Sequence, residues 1–541
     1  MAHAQGAAVS PDPAAAEFHS QVELLLKAVP AEVQGVRIAY PDAIYQFYAQ
    51  RSFRPAWTNA NSASEFRRAL KDTEADGLNP RDYNLALLEQ LAGSGTPLAA
   101  YEILNTDALL RVADHLKFGK VDPASFDPHW NYGRTPAEID LAQRMEGVIG
   151  SADIYSEIEK LKPTHRMYLA LKQELARFRH AVPDVAQLRV APGKAIEPDT
   201  HDARVVPLRA RLAFSGDLDA AENNASDFYD PVLLAAVRRF QERLGLEADG
   251  KIGARSIEEL NVPIEERIRQ LRVNLDRGRV LLQDLPNEFV VVNIAAYWVF
   301  FVRGQEIVWN ARAQVGKTYR RTPMFRSAID HLVLNPTWTV PPGILGKDII
   351  PAARKDPASI TRRGLRVLDS GGNEVDPASI DWSKFKSGNI PYTVRQDAGP
   401  KNALGRVKFM FPNSYSVYLH DTPSGNLFES SDRAFSSGCV RVDRPLELAE
   451  LLLADPVKWD TAAIRRTVDE GVTRPVTLTN KVPVLLAYWT AWVDDQGRVN
   501  FRRDVYGQDA QWAAGLEQSY TARKSARAAV RSPAPVSPAT E

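Results

Sequence analysis

Cysteine is all but absent, since the 541 residues contain one, Cys439. A single thiol cannot close an internal disulfide, so no disulfide framework holds this chain. An excess of charge of one sign is also lacking, with Lys+Arg and Asp+Glu at 67 each. That balance excludes a global basic field able to hold nucleic acid or an anionic membrane. Long apolar runs are missing as well: the most apolar, "FVVVNIAAYWVFFV" from Phe289 to Val302, contains Asn293. It falls short of the roughly 20 residues a membrane helix needs. There is no Cys pair and no HExxH pattern, and the nine His are scattered singly. The residues therefore give no reason to expect a metal or any other cofactor.

What is present is length. A chain of 541 residues exceeds one ordinary hydrophobic core, and roughly two to four domains are expected. The start "MAHAQGAAVSPDPAAA" lacks the charged and apolar regions of a secretory signal, yet Ala2-His3-Ala4 has the small-x-small form of a cleavage site. An exported protein written from near its mature end and a cytosolic protein with a disordered Ala/Pro tail both fit, and residues 1–16 are read as that tail. From about residue 17 to 204, "QVELLLKAV", "EFRRALKDTEADGL" and "MYLALKQELARFRHAV" carry apolar residues at three- and four-residue spacing, the pattern of packed helices. Trp57 and Trp130 are read as core residues of this helical domain.

Residues 205–261 form a second unit. Val237, Phe240 and Leu244 fall on one helical face, Gly245 suits a helix end, and Asp249, Gly250 and Gly253 mark a turn into another short helix. The arrangement "AVRRFQERLGLEADGKIG" resembles the peptidoglycan-binding domain of bacterial wall enzymes. Residues 262–287 read as a helical return to the scaffold.

From residue 288 to about 508 the texture turns β-branched and aromatic, in "FVVVNIAAYWVFFV", "EIVWNARAQVG", "IDHLVLNPTWTV", "YSVYLH" and "CVRV". A polar, Pro/Gly-containing stretch over 343–404 interrupts it and reads as a long insertion between strands. "DPASI" occurs in it twice, at 356–360 and 376–380, too short a unit for a structural repeat. "VGKT" at Val315 to Thr318 resembles the end of a phosphate-binding loop, but that motif needs Gly where Ala311 stands, so nucleotide binding is not supported. Residues 509–541, ending "ARKSARAAVRSPAPVSPATE", are read as a disordered tail.

The one thiol lies nineteen residues after His420, in "YLHDTPSGNLFESSDRAFSSGCVRV". A thiol with pKa near 8.5 is only a few per cent thiolate at neutral pH and needs a base or a positive environment to act as a nucleophile. Strand alternation in "YSVYLH" places Ser416, Tyr418 and His420 on one face. A second strand around Arg441 could return Cys439 to that histidine, with Ser436, Ser437 and Gly438 as a flexible turn whose N–H groups can converge on an oxyanion.

This segment resembles the signature of the L,D-transpeptidase catalytic domain, also called YkuD-type, in which a His precedes a Ser/Thr-x-Gly-Cys-x-Arg segment. "VVVNIAAYWVFFV", "VGKTYRRTPMF" and "NPTWTVPPGI" match its upstream strands. With the two preceding units, the chain resembles the large periplasmic members of Gram-negative bacteria. That resemblance implies a multidomain α+β protein: a helical scaffold domain, a small three-helix peptidoglycan-binding domain, and a β-rich catalytic domain with a capping insertion. It differs from many members in carrying Ser437 before Gly438 and Asp443 after the Arg segment, so the imidazole that often precedes the Gly-Cys pair is absent and His420 serves alone.

The resemblance further implies acyl transfer on peptidoglycan tetrapeptide stems, with Cys439 as nucleophile and His420 as base. The Gly438 and Cys439 amides and the Tyr418 hydroxyl are the expected oxyanion donors. Arg441, Trp338 and Ser437 are the expected substrate contacts, although Arg441 could instead pair with Asp443 in a structural role. No side chain is evident as the orienting group for His420, which leaves a backbone carbonyl. An L,D-carboxypeptidase, D-amino-acid exchange at the same site, and a non-catalytic wall-binding scaffold are the competing readings. No cofactor, nucleic acid or transmembrane segment is expected; other cell-wall enzymes are conceivable partners.

Overall fold

The computed structural model describes residues 13–92, 98–125, 130–132, 141–180, 188–283 and 285–518. Most of both expected tails, residues 1–12 and 519–541, lies outside them.

The N-terminal unit is helical because its apolar residues recur at helical spacing and find one shared core. Its centre is the helix Leu98–Phe118, which buries Ile103, Leu104, Ala108, Val112 and Leu116. Helices Pro13–Lys27, Pro41–Gln50 and Ala60–Asp72 pack about it, the last opened by Asn59, whose side chain accepts from the Asn61 and Ser62 N–H groups. Glu102 is buried in this core and satisfied there by the Ala56 N–H at 2.7 Å, the Trp57 N–H at 3.0 Å and the Tyr48 hydroxyl at 2.9 Å. Trp57 is core, its indole N–H donating to Thr106 at 3.0 Å. Trp130 is half-buried against Tyr132 and Trp512.

The three-helix module comprises Val205–Phe214, Pro231–Leu244 and Ala254–Leu260. Gln241, which follows the buried Phe240, is the clamp of its turn: it accepts from the Gly250 N–H at 2.8 Å and donates to the Asp249 carboxylate at 3.0 Å and the Lys251 carbonyl at 2.9 Å. The return helix Ile264–Leu281 packs on Arg166–His180. From it, buried Asp276 accepts from the Lys120 N–H at 2.7 Å, the Val121 N–H at 3.1 Å and the Trp512 indole at 2.9 Å. One carboxylate thus ties the scaffold to the helix Gln508–Glu517, and the expected tail boundary at 509 moves to the end of that helix. Its apolar Trp512 and Leu516 are buried.

The C-terminal domain is built on β1 (Glu288–Asn293), β2 (Trp298–Arg303), β3 (Glu306–Gly316) and β4 (Phe325–Leu334). After the insertion come β5 (Val407–Met410), β6 (Leu419–His420), β7 (Ala434–Ser436), β8 (Val440–Val442) and β9 (Arg474–Ala487). Among the described residues the order is β7-β3-β8-β6-β5-β4-β9-β1-β2, and β2 also pairs with β3, which closes the sheet into a barrel. Inside, Val290 faces Phe301 and Val292 faces Val299, all fully buried. The opposite parity, Val291 with Phe300 and Asn293 with Trp298, faces outward.

Two expectations change. The insertion is more than a polar loop, because Val340, Ile349, Ile350, Leu365, Val367 and Val394 form an apolar core beside a four-stranded sheet of its own. Each "DPASI" opens a short helical turn in the same way, with Asp356 accepting from the Ala358 N–H and Asp376 from the Ala378 N–H, both at 3.0 Å. Each copy buries its isoleucine, Ile360 or Ile380. The strand expected over 415–420 shrinks to Leu419–His420. Upstream, the Asn413 side chain closes a turn by accepting from the Tyr415 and Val417 N–H groups at 3.0 and 3.1 Å, and Ser416 takes a left-handed φ of 55°.

Candidate active site

β6 and β8 run parallel, with Leu419 opposite Val440 and His420 opposite Arg441. Parallel partners point to the same side. His420 and Arg441 therefore share the outer face of the barrel, and Tyr418 and Cys439, two residues earlier on each chain, fall on the same side. The row continues on both sides, for Lys408 of β5 is opposite His420 and Gln314 of β3 is opposite Arg441. Gln314, Arg441, His420 and Lys408 make one polar line across four strands, with the thiol a diagonal neighbour of the imidazole.

The loop that carries Cys439, the candidate nucleophile, is pinned rather than flexible. The Ser436 hydroxyl donates to the Cys439 carbonyl at 2.5 Å and accepts from the Gly438 N–H at 3.0 Å. Gly438 sits at φ +122°, a conformation that side chains rarely adopt. Thr322 clamps the loop from the other side, donating to the Gly438 carbonyl at 2.8 Å and accepting from the Gly316 N–H at 2.9 Å. The Gly of "VGKT" now has a reason: a Cβ on Gly316 would stand 2.1 Å from the Arg320 carbonyl oxygen. Tyr506 completes the clamp, its hydroxyl donating to the Gly316 carbonyl at 2.6 Å.

These bonds correct one expected role. The Gly438 N–H is engaged by Ser436 and is not free to hold an oxyanion. The Cys439 N–H and the Tyr418 hydroxyl are the expected donors that remain. Asp443 pairs with Arg312 at 3.0 Å rather than with Arg441. Arg441 donates to Gln314 at 3.1 Å, has no carboxylate partner among the described residues, and keeps a buried Nε without an acceptor.

The orienting group for His420 is a backbone carbonyl: Nδ1 donates to the Asp421 oxygen at 2.5 Å. A carbonyl only accepts, so this bond fixes the tautomer and leaves Nε2 as the basic nitrogen. The ring is 4% exposed. Burial, then the charges of Arg441 and Lys408, lower its pKa to about 3, against the weaker opposing pull of the Asp421 and Leu404 carbonyls. Burial also pushes the Cys439 thiol up, offset in part by the Tyr418 backbone and by Lys408 and Arg441. The resting pair is thus thiol and neutral imidazole, not an ion pair. Partly accessible Cys439 directs its Sγ at the Ser416 carbonyl, 3.7 Å away. Catalytic hydrogen bonds often tighten only when substrate is bound.

Lys408 went unremarked in the sequence, although a lone Lys inside the apolar "RVKFMF" is a usable signal. Its ammonium lies 4.0 Å from the centre of the Tyr418 ring. Arg320 joins the nucleophile loop to the insertion, giving Asp348 two bonds at 2.5 and 2.8 Å and Ser437 one at 2.9 Å. Ser437, two residues before Cys439, is held by that bond, while Trp338 packs half-buried against the insertion's own core.

Comparison with known proteins agrees with this architecture. Family models match residues 42–175 as a scaffold domain, 201–260 as "Putative peptidoglycan binding domain" and 287–476 as the L,D-transpeptidase catalytic domain. A Haemophilus influenzae protein named "Putative L,D-transpeptidase" is 39% identical over 243 residues, 45% of this chain and 48% of that protein. The chain therefore spans about half the length of this curated relative. A solved L,D-transpeptidase from Xylanimonas cellulosilytica overlaps 55% of the chain and 99% of that structure at 16% identity, with a TM-score of 0.19, too low to bear on the fold. Scaffold, peptidoglycan-binding and catalytic units thus stand on one polypeptide, and it is residues 287–476 that match the YkuD-type L,D-transpeptidase catalytic domain.

Proposed function

We propose that this protein cross-links peptidoglycan stem peptides 3→3, through a thioester on Cys439 and with release of D-alanine. The observation that carries the reading is the shared face of Cys439, Tyr418, His420 and Arg441, set by the parallel register of β6 and β8.

In the first step the Cys439 proton passes to His420 Nε2 as sulfur attacks the carbonyl between the third residue and the terminal D-alanine. The oxyanion is held by the Cys439 N–H and the Tyr418 hydroxyl. Collapse breaks the C–N bond, and the imidazolium returns the proton to the leaving D-alanine amine. In the second step an amine of another stem attacks the thioester and gives its proton to the imidazole. The thiolate departs and is reprotonated, so no redox change or external reagent is involved. Arg441, a cation with an unpaired Nε and no carboxylate partner among the described residues, suits a substrate carboxylate better than a structural pair. Lys408 and Arg441 favour the thiolate once it forms, since both pull the thiol pKa down.

No helix among the described residues is long and apolar enough to cross a membrane. Action on peptidoglycan stems is the reason to propose a periplasmic location. Incubation with disaccharide tetrapeptide, read by mass spectrometry, tests the reading. A dimer lacking one alanine supports it. Tripeptide alone would assign an L,D-carboxypeptidase, exchange of the terminal residue alone would assign D-amino-acid exchange, and no product would leave a wall-binding scaffold.

A further inference from the structure

A cavity of about 500 Å³ lies between the helix Arg166–His180, the peptidoglycan-binding domain and the outer face of β1 and β2. It is remote in function from the polar row, and no step above uses it. Half-buried Trp298 and Phe300 line one wall, their rings 24° from parallel with centres 6.2 Å apart. Trp492 lines another, with the Arg502 guanidinium 4.7 Å from its ring centre. Side-chain amides of Asn293, Gln305, Asn310 and Asn500 stand among these rings. Trp489 also lines the cavity; it is 6% exposed, and its indole N–H is buried with no acceptor. Buried polar groups are nearly always hydrogen-bonded, so an unpaired donor at a cavity wall points to a ligand oxygen.

We infer that this cavity holds the glycan strand of peptidoglycan, the β-1,4-linked N-acetylated sugar chain. Flat apolar rings interleaved with amides match sugars, which present C–H faces on one side and hydroxyl and acetamido groups at their edges. Asn293 and Asn500 already bond within the protein, but an acyl chain would offer no partner to the Gln305 and Asn310 side-chain amides or to the Trp489 N–H. Continuity supports the same occupant. A second cavity of about 680 Å³ shares Glu242, Trp298 and Arg502 with the first. It runs past Gly245 and Arg255 of the peptidoglycan-binding domain to Asp432–Ala434, the segment leading into Ser436 and Cys439. A sugar chain seated in the first cavity is thus led toward the nucleophile loop.

The inference rests on the peptidoglycan reading of the proposed function. It is tested with a probe that bears no peptide, so its outcome is independent of whether Cys439 turns over. Chitohexaose, a β-1,4-linked N-acetylglucosamine hexamer, is titrated into the full chain by calorimetry. Saturable binding is expected, weakened at least tenfold by Trp492→Ala and by Phe300→Ala, each checked for folding by thermal unfolding. Absence of binding by the unsubstituted protein overturns the inference. So does binding that folded Trp492→Ala and Phe300→Ala both retain in full. Displacement of the hexamer by decanoate but not by chitotetraose would overturn it in favour of an acyl chain.

Discussion

His420 and Arg441 are register partners on adjacent parallel strands, and the cation helps burial to keep the imidazole uncharged. Between about pH 3 and the ordinary histidine value of 6.5 the unfolded chain carries a proton on this residue that the folded chain does not. Stability from this group is therefore complete above pH 6.5, rises with pH across that window and falls away as pH drops through it. His420→Gln is expected to flatten the acid side of a plot of Tm against pH, an effect of order a few kcal/mol. Identical slopes for both proteins would contradict the assignment.

Lys408 lowers the pKa of the thiol that burial raises. In Lys408→Met the thiolate fraction at pH 8 should shrink, and alkylation of Cys439 by iodoacetamide should slow several-fold. Because the chain has one Cys, loss of free thiol reports this site alone. An unchanged or faster rate would remove Lys408 from the electrostatics of the nucleophile.

Ser436 makes two bonds inside the nucleophile loop, one to Cys439 and one to Gly438. Ser436→Ala should cost about 1–3 kcal/mol in stability, the usual penalty for stranding a buried partner. Turnover is expected to fall further than stability, by at least tenfold, since the loop that presents the thiol loses its pin. Wild-type kcat in the variant would show that Thr322 and the strands suffice.

The insertion is attached to the nucleophile loop through Arg320, which holds Asp348 and Ser437 together. If the insertion covers the thioester and excludes water, Arg320→Ala should raise hydrolysis relative to cross-linking by several-fold. Replacing residues 345–400 with a short Gly/Ser linker should do so more strongly. The insertion has its own core, so its removal need not unpack the barrel. An unchanged product ratio in either folded variant would make the insertion a rigid elaboration.

The adjacency of Cys439 and His420 on one face was legible in the sequence because a parallel register preserves strand alternation on both chains. The oxyanion assignment to Gly438 was not, because a side chain two residues away, Ser436, takes that N–H, and sequence does not show where a serine hydroxyl points. Thr322 and Tyr506, which buttress the loop, lie 116 and 68 residues from Gly438 in chain order. No local pattern marks them. The insertion read as polar because its core is small, and isoleucines such as Ile349, Ile350 and Ile360 are dispersed among turn residues. The helix Gln508–Glu517 left little trace in the sequence because only two large apolar residues, Trp512 and Leu516, anchor it among small and polar ones.

Everything in the proposed reaction passes through a covalent acyl-enzyme on Cys439. The direct measurement is intact-protein and peptide-map mass spectrometry after brief mixing with disaccharide tetrapeptide, or with a carbapenem as a strained acyl donor. One adduct per chain is expected, lost in Cys439→Ala and mapped to the peptide containing Cys439; with the tetrapeptide it should have the mass of the donor less D-alanine. An adduct on another residue, or cross-linked dimer formed at the wild-type rate by Cys439→Ala, would contradict the account.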